Sequence, residues 1–241
     1  MKIVEKEIRL PNGRTLLHRS IPDASFDEWI AYLFNRPGCE FGTHWSSSEE
    51  IPVWDLPLET TAGYIARTFA APEMWAGQFS KAQIAAGLVF IWNPAYGDVF
   101  SAMGEKVSPE SQMQVIRSLV PLYEQCFARL CEQGLSHLDE CGDNPLNVAC
   151  YMFWDVCPLH ARSEEASLRE RDKLCLEVMK SILKIEHEAC RESALHGLGH
   201  WQGDYPERVK SIIADFLSGH RNPLRPELAS YAQAASRGCV L

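Results

Sequence analysis

Glu192-Ser193-Ala194-Leu195-His196-Gly197-Leu198-Gly199-His200-Trp201, followed directly by Tyr205-Pro206-Glu207-Arg208, decides how this chain is read. The small residues at 194, 197 and 199 let a neighbouring backbone approach closely. Pro206 restarts a helix after a turn of a few residues, because proline is tolerated in a first helical turn. The inward stripe Val209, Ile212, Ile213, Phe216 and Leu217 then gives the second element the spacing of an amphipathic helix. A packed helical hairpin is the expectation.

Working outward, the same helical spacing recurs. Ser163-Glu164-Glu165 is expected to open a long amphipathic helix through Leu168, Cys175, Val178, Met179, Ile182 and Ile185. Asn144-Pro145 precedes Val148 to Val156, which is apolar nearly all round and is expected to be central and buried. Ser108-Pro109-Glu110 starts the longest helix, with a bend or break at Pro121 and a cap at Gly134. Two capping boxes, Ser25-Phe26-Asp27-Glu28 and Ser80-Lys81-Ala82-Gln83, open further helices. Another helix is expected over about 58–71, and Pro226 opens the last one.

Residues 1–20 differ. Ile8 and Leu10 alternate with polar residues before Pro11-Asn12-Gly13, and Asn-Gly is a hairpin turn signal. The stretch 37–56, rich in Pro, Gly and Ser, reads as a long loop carrying Trp45 and Trp54. The expected fold is all-α, an irregular array of eight to ten helices in one domain over 1–241. It carries a small β-hairpin at 1–20 and a possible subdivision near 134–144.

Composition narrows the function classes. The chain has 241 residues, 46% hydrophobic and 10% aromatic, enough for a sizeable core. No stretch approaches the roughly 18 apolar residues of a membrane span, and the first residues lack a leader's apolar region, so a cytoplasmic location is expected. The net charge of −9 disfavours nucleic acid and anionic membranes and favours a basic protein partner. Nine cysteines occur without a CxxC pair, which removes zinc-ribbon and thioredoxin-type readings and leaves buried thiols. Walker and dinucleotide-binding glycine patterns are absent. No cofactor is expected.

Over residues 187–218, the two helices with Ala194-Leu195-His196-Gly197-Leu198-Gly199 on the first and Val209, Ile212, Ile213 and Phe216 on the second resemble a HEAT or armadillo repeat unit. That resemblance covers about an eighth of the chain and implies stacked helix pairs serving as a binding surface. The acidic, helical, cysteine-tolerant composition is also similar to that of bacterial immunity proteins, which neutralise a toxin.

Two surfaces compete as the functional one. In the first, Glu49, Glu50, Asp55 and Glu59 flank Trp45 and Trp54, so an acidic loop would steer a basic partner onto apolar anchors. This is the leading expectation: a non-enzymatic binding protein for a basic partner, with an immunity protein as its specific form and a scaffold subunit as an alternative. In the second, His196 and His200 lie four apart on one helical face with Glu192 four before them, the spacing two metal ligands need. Gly197 stands where HExxH proteases carry their glutamate base. The alternative is a metal- or thiol-dependent enzyme on this helix, a thiol case being Cys157 with His160. The acidic residues Asp139, Glu140 and Asp143 fill a turn, and Arg169, Arg171 and Lys173 read as a solvated face.

Overall fold

A computed structural model describes residues 1–9, 11–35, 51–139, 144–219 and 223–240. The chain is 63% helical with a small three-stranded sheet at its N-terminal end, so the mostly-α class read from the sequence is correct. Strands β1 (Lys2–Arg9) and β2 (Thr15–Asp23) pair antiparallel, with Val4 opposite Ser20 and Ile8 opposite Leu16. Their turn needs a positive φ, and Gly13 supplies it at 81°. The sheet has a third strand that alternation did not reveal, β3 (Val53–Trp54), which pairs parallel to β2. Two residues are too short to show a period.

Both capping boxes form. Ser25 opens α1 (Phe26–Phe34), with its hydroxyl accepting from the Glu28 amide and the Glu28 carboxylate accepting from the Ser25 amide; Ser80 and Gln83 do the same for α3 (Lys81–Trp92). Between them lies α2 (Leu58–Ala70). Helix α4 (Pro109–Leu122) carries Pro121 and passes into a π-helical turn at Tyr123–Phe127 and a short α5 (Ala128–Leu130). The missing Pro121 amide loosens the ladder without stopping it. The helix ends at Cys131, before the Gly134 cap expected from the sequence.

The segment expected to be one central helix is two short ones, α6 (Pro145–Tyr151) and α7 (Phe153–Val156), divided at Met152. Val148 is 46% exposed, so this segment is not buried all round. Helix α8 (Arg169–Ile182) begins later than Ser163, after a 3-10 turn at Ala166–Leu168. Arg171 does not belong to a solvated face. It is 4% exposed and pairs with the fully buried Asp172, whose other oxygen accepts from the Tyr205 hydroxyl at 2.9 Å. Such a pair is tolerated because its polar atoms find partners.

Helix α9 (Glu188–Trp201) is the buried one, followed through a short connection by α10 (Pro206–Ser218) and then by α11 (Pro226–Ala235). It packs against α6, α7, α8, α10 and α11. Glycine allows this enclosure. A Cβ on Gly197 would lie 2.6 Å from Trp154 Cγ, and one on Gly199 would strike Val240. The buried apolar residues form one cluster running from Ile21 to Ala235. No helix among the described residues is long and apolar enough to cross a membrane.

Candidate functional site

The polar stripe Glu192, His196 and His200 follows from the helical period, one residue per turn along α9. Tertiary packing gives the three different work. Glu192 is fully buried and its carboxylate is spent: it accepts from the Ser136 amide at 2.7 Å, from the His137 amide at 3.2 Å and from His137 Nδ1. It therefore pins the 131–139 loop and does not complete a ligand set with the histidines.

Asp155 completes it instead. This aspartate projects from α7, which Gly197 brings close to α9. Its Oδ1 lies 3.2 Å from His200 Nε2, and His200 Nε2 lies 3.0 Å from His196 Nε2. One ligand atom from each of the three residues lies within 4.8 Å of the others. For metal–ligand bonds of about 2.0–2.2 Å, neighbouring donor atoms sit about 2.8–3.6 Å apart between octahedral and tetrahedral angles, and the 3.0 and 3.2 Å contacts at His200 fall within that range.

Proton counting supports the same reading. A neutral imidazole carries one N–H. His200 Nε2 faces both a carboxylate oxygen and another imidazole nitrogen, and a single proton cannot serve both well. A cation at their centre makes all three contacts attractive. His196 is 2% exposed, and burial first, then the neighbouring His200, lowers its pKa to about 4. Its imidazole is accordingly neutral near pH 7, the form a metal requires.

The donor set is enclosed on one side only. Asp155 is 37% and His200 38% exposed, whereas His196 sits against Tyr151, with ring centroids 4.4 Å apart, and its Nδ1 meets the Tyr231 hydroxyl at 2.7 Å. Burial holds both tyrosines above the ordinary phenol range, so they remain hydroxyls. Three protein donors with an open side match sites that keep a position for water or substrate. Asp155, Tyr231 and His137 were not singled out from the sequence. The available signal for Asp155 was its standing as the lone carboxylate in the apolar run 148–157.

The residues read as a partner-binding loop divide. Trp45, Glu49 and Glu50 lie outside the described residues. Trp54 is 7% exposed, packed on Trp29 and Tyr32 with centroids 4.7 and 5.0 Å away, and its Nε1 donates to Thr61 Oγ1 at 3.1 Å. It anchors the sheet to α1 and α2, worth about 1.5–3 kcal/mol of apolar burial, and presents no surface anchor. Glu59 is exposed but employed: it accepts from the Ser108 amide at 2.5 Å and the Ser111 hydroxyl at 2.6 Å, and these bonds hold its pKa below the usual carboxylate range. It caps the start of α4. Asp55 is exposed.

The thiol reading fails on its named pair. Cys157 is fully buried and burial pushes its thiol up to about 12, the reverse of an activated nucleophile. No family of known proteins, no curated protein and no solved structure matches this chain.

Proposed function

We propose that the protein binds a divalent transition metal through Asp155, His196 and His200 and uses its open side for Lewis-acid or bound-hydroxide chemistry. The observation that carries this reading is the convergence of two imidazole nitrogens and a carboxylate oxygen at 3.0 and 3.2 Å. Two histidines and one carboxylate suit zinc or ferrous iron. The test is metal analysis of protein purified without chelator, with cobalt(II) titration of the stripped protein. Stoichiometric uptake, lost in His200→Ala and Asp155→Ala, is the expected result. Wild-type protein that gives no cobalt absorption bands at stoichiometric metal would sink the reading.

A second reading, that the protein binds a basic protein partner as a toxin-neutralising immunity protein or as an adaptor, is favoured by the net charge of −9 and by the β1 edge. Every residue of β1 is exposed, including Ile3, Val4 and Ile8, and among the described residues one edge of this eight-residue strand has no neighbouring strand. Such an edge can accept a partner's strand. The likeness of 187–218 to a HEAT unit belongs to this reading. A pull-down from native extract at low and moderate salt tests it: one dominant basic protein, lost when Ile3 and Val4 are replaced by lysine, is expected. Retention unchanged by those substitutions would refute the edge as the contact.

A further inference from the structure

We infer that Tyr231 is the positioning residue of the metal centre, fixing His196 in the one tautomer that turns a lone pair toward the metal. This inference rests on the metal reading above. An imidazole that coordinates through Nε2 carries its proton on Nδ1, and that N–H needs an acceptor when buried. His196 is 2% exposed, and the hydroxyl of Tyr231 lies 2.7 Å from its Nδ1. With the phenol oxygen accepting from Nδ1–H, the phenol's own proton is left to donate to the Tyr151 hydroxyl, 3.4 Å away. The chain of donors therefore runs from His196 to Tyr231 to Tyr151.

Tyr231 is itself held from two directions. Its ring stacks on His137, with centroids 4.5 Å apart and planes inclined by 26°, and His137 is clamped by the buried Glu192 carboxylate. At the start of α11, Arg225 grips Asp139 through its two terminal guanidinium nitrogens and also reaches Glu188 at 3.2 Å. Glu192, one turn before His196, thus acts indirectly, holding the His137 ring on which Tyr231 stacks. His200 stands differently. Its ring is 38% exposed and its Nε2 contacts are to the other two ligands, so the buried histidine is where tautomer control lies.

The experiment uses the full chain and cobalt(II), with zinc(II) in competition, on wild type and Tyr231→Phe. The variant is expected to bind about 10–100-fold more weakly, the usual cost of losing a partner behind a metal-bound histidine. A shift in the cobalt spectrum should accompany the loss. A long-range proton–nitrogen spectrum of histidine-labelled, zinc-loaded wild type reads the tautomer directly and does not depend on the variant's folding. Protonated Nδ1 on His196 is expected. Coordination through Nδ1, or equal affinity of the two proteins with unchanged cobalt bands, overturns the role of Tyr231 while leaving the metal centre standing. Failure of wild type to bind cobalt or zinc overturns both.

Discussion

Replacing Gly197 by alanine places a methyl group in space that α7 and α8 already fill. Its carbon would sit 2.6 Å from Trp154 Cγ, 2.9 Å from Trp154 Cβ and 2.9 Å from Met179 Sδ, all well inside ordinary contact. Met179 can swing its sulfur away, but Trp154 Cβ is tied to the α7 backbone and must carry that short helix with it. Overpacking of this kind costs about 1–3 kcal/mol, while alanine in place of glycine inside a helix returns about 1 kcal/mol. The severity of the Trp154 contact puts the net at about 1–2 kcal/mol of destabilisation, or about 2–8 °C in Tm for a chain of this size. Gly63 is the matched control. It lies on the exposed side of α2, nothing would stand within 4 Å of an added Cβ, and Gly63→Ala is expected to raise Tm by about 2–4 °C. Because Trp154 adjoins Asp155, the Gly197 variant should also lose metal affinity as Asp155 moves off the histidine pair, since such sites tolerate displacements of only about 0.5 Å. Calorimetric melting and cobalt titration read the two effects. A Gly197→Ala protein as stable as wild type would refute the close-packing argument, and unchanged metal affinity in a destabilised variant would refute the coupling to Asp155.

Acid should weaken the fold through Asp139, whose pKa the Arg225 guanidinium and the Leu135 amide hold far below the usual carboxylate range. A carboxyl depressed in the folded state contributes stability that is present above its unfolded pKa of about 4 and is lost as pH falls below it. In urea titrations between about pH 5 and 3, wild type should lose stability with falling pH and Asp139→Asn should lose less; parallel slopes would exclude this pair as a source of the acid sensitivity. Thiol accessibility gives another check. The Cys150 thiol first and then His187 pull the Cys190 thiol below the ordinary thiol range, yet Cys190 is fully buried, whereas Cys239 is exposed. Among the described cysteines a native-state thiol reagent should label Cys239 and reach Cys190 only on unfolding, and rapid labelling of Cys190 would contradict the packing of α9.

Local signals were legible wherever they act through the backbone over a few residues. Ser25 with Glu28 and Ser80 with Gln83 mark helix starts because side chain and amide meet within one turn. Asn12-Gly13 marks the hairpin because the turn itself demands a positive φ. Helix limits were less legible where packing overrode pattern: Met152 breaks an apolar run that reads as continuous, and Arg171, charged and near other charges, is buried because Asp172 and the His160 carbonyl satisfy it. Trp54 shows the same limit, since a tryptophan in an acidic loop reads alike as an anchor for a partner or for the fold.

By itself the sequence determined a mostly helical chain with an N-terminal hairpin, and it placed Glu192, His196 and His200 in one stripe, because a helix repeats every 3.6 residues whatever surrounds it. Which carboxylate joins the histidines was decided by tertiary structure alone. Glu192 is nearer in sequence but is drawn into the 131–139 loop by two amides and His137, while Asp155 arrives from α7 because Gly197 lets Trp154 close on α9. Periodicity specifies a direction around one helix, and the neighbour met in that direction is set by how the other helices pack.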